Sequence, residues 1–113
     1  MVAFLPLRCR FTVLGATIDA EAALAPMRPP LDRQFGKART LFERAESRCE
    51  AAKHGLARRS LRLSRRRLRM VNKTLRTMLA RHTASAGVID PIARTSATLG
   101  ADIGALASRL ACP

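Results

Sequence analysis

Tryptophan and tyrosine are absent and only four phenylalanines are present. That scarcity argues against a β-sandwich core, and no aromatic stands among the arginines of residues 58–76 for base stacking. Acidic residues are also few, eight against 21 basic ones, and the shortage is local: none stands between Glu50 and Asp90. The three cysteines, Cys9, Cys49 and Cys112, include no CxxC pair and no HxxxH partner, so no metal site is expected. No apolar run approaches the ~20 residues that span a bilayer. The opening residues 1–7 are apolar, but Pro6 interrupts them and Arg8 and Arg10 follow them, the reverse of a secretory signal. Ala23-Leu24-Ala25, the one small-residue cleavage pattern, runs directly into Pro26.

Enzyme signatures are missing as well. Gly15, Gly36, Gly55 and Gly87 stand alone, and Gly100 and Gly104 fall inside a helical pattern, so no glycine-rich phosphate loop is encoded. His54 and His82 lie at helix ends with no carboxylate spaced to orient either as a base, and they read as solvent-exposed. Glu43, Glu46 and Glu50 share a helix face, but no Glu-x-x-His accompanies them. With Arg39, Arg44, Arg48 and Lys53 nearby they read as a solvated ion-pair face. No catalytic residue, metal or cofactor is expected, and the chain reads as non-enzymatic.

What is present is a strong helical rhythm in a chain rich in Ala, Leu and Arg, long enough for one core. The expected fold is all-α, an antiparallel up-down helical bundle of three long helices and one shorter N-terminal helix. A lead segment, 1–10, precedes a single bundle, 11–113, with helices at about 11–25, 31–53, 57–82 and 91–111. The first carries Phe11, Leu14, Ile18, Ala22 and Ala25 on one face and stops at Pro26. Pro29-Pro30-Leu31-Asp32 opens the second, whose seam is Leu31, Phe35, Ala38, Phe42, Ala45, Cys49 and Ala52, and Gly55 supplies the turn that ends it. The third buries Ala57, Leu61, Ser64, Leu68, Val71, Leu75 and Met78, and the break follows at Thr83-Ala84-Ser85-Ala86-Gly87. Asp90-Pro91 reads as an N-cap and first helical position for the fourth, with Ile92, Ser96, Leu99, Ile103, Leu106 and Leu110 as its seam.

The third helix is also where the charge lies. At 100° per residue, Arg58, Arg62, Arg65, Arg66, Arg69, Lys73 and Arg76 share one arc opposite or beside the Leu68 stripe, a ribbon about 27 Å long. Neighbouring cations repel, so an anionic partner would relieve the ribbon. Lys37, Lys53 and Lys73 are the only lysines. The arginine excess suits forked phosphate contacts, and it equally suits a GC-rich genome. Two functions follow. One is a structural or interaction module, meeting an unknown protein partner or a second copy, with arginine stems covering Leu63 and Met70. The other is sequence-independent binding of nucleic acid or another polyanion through the basic face. An anionic membrane surface is a lesser alternative.

Up-down topology places Cys49 near the end of the second helix and Cys112 just after the fourth at the same end of the bundle, with Cys9 there too. A Cys49 to Cys112 disulfide is one reading, and a buried free Cys49 thiol acting as a small hydrophobe is the other. From Pro30-Leu31 to Cys112-Pro113 the layout resembles a helical module near the C-terminus of some bacterial exported proteins. In that module a cysteine ends one helix, an Arg/Lys-rich helix follows, and the chain closes on Cys-Pro. Cys49, the basic helix from Ala57, Asp90-Pro91 and Cys112-Pro113 are the matching positions, and Cys9-Arg10-Phe11 resembles its opening. The resemblance implies an exported setting and a paired Cys49 and Cys112, which needs a signal upstream of Met1. With free thiols the expectation is a cytoplasmic chain.

Overall fold

A computed structural model describes residues 3–113, and over that span the chain is helical, with no strand. Met1 and Val2, which open the expected lead segment, lie outside the described residues. Four α-helices follow in order: α1 Phe4–Ala20, α2 Arg28–Glu50, α3 His54–Ala80 and α4 Ala86–Ser108. A 3-10 helix, Ala22–Met27, joins the first two. α1 and α3 each pack against both α2 and α4, which sets α1 diagonally across from α3. The particle measures 47 × 24 × 20 Å, a cross-section of two helix diameters in each direction. Arg8 pairs with Glu46 and Arg10 with Asp102, so the start of α1 lies against the far ends of α2 and α4 in antiparallel fashion.

The alternation of three and four identifies the core well. Every seam position expected on α3 is buried, joined by Ser60, and every one expected on α4 from Ile92 to Leu110 is buried too. All four phenylalanines gather where α1 meets α2: Phe11 lies 5.1 Å from Phe42 and 5.9 Å from Phe35, and Phe4 lies 5.5 Å from Phe42, ring centre to ring centre. Such tilted pairs add about 0.5–1.5 kcal/mol each beyond the area they bury. α3 itself carries no aromatic residue.

Helix ends depart from the sequence reading, each for a local reason. The lead segment is not separate, because α1 already begins at Phe4 and buries Leu7. Pro6 falls in its first turn, where a backbone N–H has no intrahelical partner to lose. α1 ends at Ala20, so Ala22 and Ala25 belong to the exposed side of the 3-10 helix and not to a continuing seam. Likewise α4 starts at Ala86, with Ser85 as N-cap, so Pro91 is inside it and Asp90 caps nothing. Pro91 cannot donate to the Gly87 carbonyl, but both residues are exposed and water can take that acceptor.

The two remaining turns use left-handed residues that are not glycine. Ala52 has φ 60° and His82 φ 56°. After each, the chain folds back: Lys53 N–H donates to the Arg48 carbonyl at 2.8 Å, and Thr83 N–H to the Met78 carbonyl at 3.0 Å. These are Schellman closures. Gly55, expected to make the first turn, lies inside α3, and Gly87 lies inside α4. Ala52 is therefore exposed in a turn and is not part of the α2 seam.

At that same end Cys49 and Cys112 are disulfide-bonded, their Cα atoms 5.0 Å apart, while Cys9 is free and exposed on α1. Cys49 is buried, as the competing thiol reading required, but it is bonded. Linking residues 63 apart in sequence stabilises the fold by about 4 kcal/mol in the chain-entropy model. Two further contacts hold the C-terminal end of α4: His54 Nε2 donates to the Leu110 carbonyl at 2.6 Å and Arg58 Nε to the Ala107 carbonyl at 3.0 Å. His54 is thus half-buried and engaged, not the solvent-exposed residue the sequence suggests.

Ala52→Gly tests the account of the turn. Relief of the left-handed Cβ clash, less the extra freedom glycine gives the unfolded chain, predicts a gain of about 0.5–1 kcal/mol in chemical unfolding. Equal or lower stability would contradict it.

Candidate cationic surface on the third helix

α3 contains no carboxylate, and its outward residues are decided by the buried seam. With Leu61, Leu68, Val71 and Leu75 turned into the core, Arg62, Arg66, Arg69, Lys73 and Arg76 are exposed and Arg58 and Arg65 are half-buried beside α4. All seven candidate residues therefore lie on one side of one helix. Met70, expected under arginine stems, keeps 37 % of its surface exposed.

Neutralisation occurs elsewhere. Among the described residues the ion pairs are Arg8 with Glu46, Arg10 with Asp102, Arg28 with Asp19 and Asp32 at 3.9 and 4.0 Å, and Arg39 with Glu43 at 3.4 Å. Each involves α1 or α2, and none reaches α3. The expected ion-pair face of α2 survives only in part: Arg39 meets Glu43, but Glu46 turns to α1. Arg48 instead donates to the Ser60 hydroxyl at 2.7 Å. Segregation follows from rotation about α2, where Glu43, Glu46 and Glu50 fall on the α1 side while Arg33, Lys37 and Arg44 fall on the α3 side.

Those α2 residues widen the surface beyond what the sequence reading proposed. Arg33, Lys37 and Arg44 line a groove of about 500 Å³ between α2 and α3 together with Arg67 and one carboxylate, Asp32; Asp32 lies 4.0 Å from Arg28, and Arg67 Nη1 donates to the Gln34 side-chain oxygen at 3.2 Å. The signal was available, since positions 33, 37 and 44 recur at four and seven on one helical face. Knowing that this face adjoins α3 required the packing. On the opposite flank, Arg62, Arg65, Arg66 and Arg69 line a second groove of about 300 Å³ against α4.

The seam polar groups are treated differently. Ser64 is fully buried and donates to the Ala38 carbonyl at 2.7 Å, joining α3 to α2. Ser96 on α4 is equally buried, yet its hydroxyl has no hydrogen-bond partner among the described residues, and the same holds for Asn72 Oδ1 on α3.

No helix among the described residues is long and apolar enough to cross a membrane. Comparison with protein-family models, curated proteins and solved structures finds no match.

An unneutralised row of like charges costs stability, and the sign is testable. Arg62→Gln and Arg66→Gln should each raise stability by about 0.2–0.5 kcal/mol at low salt, a gain that shrinks as salt screens the wild-type repulsion. Thermal melts across a salt series check this. A loss of stability in both variants would show that the two guanidiniums are already compensated.

Proposed function

We infer that this bundle is a non-enzymatic interaction module that binds polyanions, nucleic acid foremost, without reading sequence. One observation carries the reading: every ion pair of the described residues involves α1 or α2 and none involves α3, so the exposed cations of α3 have no carboxylate partner. Forked guanidinium groups in a straight row match the repeating phosphates of a nucleic-acid backbone. Arg33, Lys37 and Arg44 across the neighbouring groove add breadth. Because the phenylalanines are packed between α1 and α2, base stacking is not on offer, and contact is with phosphate.

The state of the two histidines supports a non-catalytic role. His54 is occupied by the Leu110 carbonyl, and His82 stands exposed at the end of α3. An exported setting is part of the same reading, supported by the Cys49–Cys112 bond, since such bonds persist in oxidising compartments. The resemblance to a helical module of exported proteins points the same way.

Titration of duplex DNA against salt tests the function. A face that neutralises about five phosphates gives a slope of log K on log salt near −4 to −5, and Arg62, Arg66 and Arg69 changed together to Gln should flatten it by about 3. Circular dichroism of the variant checks that helicity is kept. Absence of binding at low salt, or a slope that the triple variant leaves unchanged, would overturn the reading.

A further inference from the structure

The groove between α3 and α4 differs from the rest of the cationic face in having a shaped floor. Gly104 lies beneath Arg65, and a Cβ placed there would stand 2.5 Å from Nη1 and 3.3 Å from Cδ of that side chain. The missing side chain is what lets the guanidinium lie down in the groove. Arg62, Arg66 and Arg69 line the same hollow, so four arginines border it and no carboxylate is among its lining residues. Asp102, the nearest acid along α4, is engaged with Arg10 toward α1. The Ala107 carbonyl, which would repel an anion, already accepts from Arg58.

A second feature adjoins it. Arg65 and Arg69 also line a smaller pocket of about 210 Å³ farther along the same two helices, and its other lining residues include Asn72 and Ser96. Ser96 is fully buried, and Asn72 Oδ1 and Ser96 Oγ are the buried side-chain atoms left without a partner among the described residues. Buried polar atoms are rarely left so. An acceptor and a hydroxyl waiting beside an arginine cluster call for a ligand with its own hydroxyl next to its negative charge.

Resting on the polyanion reading, we propose that this groove is a discrete seat for a dianionic phosphate group, held by Arg62, Arg65, Arg66 and Arg69 over Gly104, with the hydroxylated part of a phosphate ester entering the pocket at Asn72 and Ser96. A dianion suits four cations bordering one hollow better than the single charge of a backbone diester does. Arg65 lines both compartments and so joins the phosphate seat to the pocket beside it. Such a group is found on small phosphorylated molecules and at the phosphorylated end of a nucleic-acid strand.

Gly104→Ala provides the decisive variant, because alanine favours the helix while its Cβ displaces the Arg65 guanidinium. Inorganic phosphate and ribose 5-phosphate are titrated at constant ionic strength, with backbone amide shifts as the readout. Wild type should show saturable shifts centred on Arg62, Arg65, Arg66, Arg69 and Gly104. Gly104→Ala should weaken phosphate about tenfold, in keeping with loss of a charge-assisted contact, while duplex DNA binding stays within about twofold of wild type because the outer ribbon is intact. Ribose 5-phosphate should bind about fivefold tighter than inorganic phosphate, and Ser96→Ala should remove that advantage alone. A 5′-phosphorylated oligonucleotide that outcompetes its 5′-hydroxyl twin would assign the seat to a strand end, and equal competition would assign it to a small ester.

Non-saturating shifts spread over all exposed arginines, or a Gly104→Ala variant that binds phosphate as wild type does, would overturn the seat while leaving salt-dependent DNA binding in place. Equal binding of the two phosphates would overturn the assignment of the pocket. Loss of both phosphate and DNA binding in wild type would remove the polyanion reading itself.

Discussion

Burial of one face of α3 between α2 and α4 is the constraint from which the rest of the molecule follows. Leu61, Leu68, Val71, Leu75 and Met78 are almost completely enclosed, and each is worth about 1.5–3 kcal/mol in transfer from water. Repulsion between neighbouring arginines on the other face costs only a few tenths of a kcal/mol per pair. Burial therefore wins by a wide margin, and the charge has to be tolerated wherever the seam puts it. Since the seam is a straight stripe, the charge becomes a straight row.

Charge is then sorted across the whole particle. α1, diagonal to α3, draws Glu46 from α2 and Asp102 from α4 into ion pairs with Arg8 and Arg10. Those carboxylates are consequently spent on the side away from α3. The basic stripe of α2 completes the division by facing the α2–α3 groove. At one end of the bundle the Cys49–Cys112 bond, His54 on Leu110 and Arg58 on Ala107 fasten the C-terminal stretch to the turn between α2 and α3. The cationic face is thus presented by a helix held on both flanks and tied at its start.

Much of this was legible in the residues. The alternation of three and four located the buried positions of α2, α3 and α4 because long amphipathic helices repeat one signal many times, and the basic arc followed from the same geometry. Helix ends were less legible, since each depends on a few residues. Starts were expected at residue 11 and at Pro91, yet α1 begins at Phe4 with Pro6 in its first turn, and Pro91 falls at an exposed point inside α4. Gly55 suggested a turn that Ala52 makes instead, and His82 makes the one expected over residues 83–87; both are closed by local backbone bonds that need no glycine. The α2 share of the surface and the hollow at Gly104 could not be read from one helix, because both exist only where two helices meet. The disulfide was one of two open readings until the ends of α2 and α4 were brought together.

Amide hydrogen exchange on the free protein, at low salt and with no polyanion present, tests the central claim most directly. If the buried seam holds α3 in place, its amides from Leu61 to Leu75 exchange as slowly as those in the middle of α2, at the rate set by global unfolding. Rapid exchange along α3 while α2 stays protected would mean that the basic segment becomes helical only when an anion binds, and the account of a preformed cationic face would be wrong.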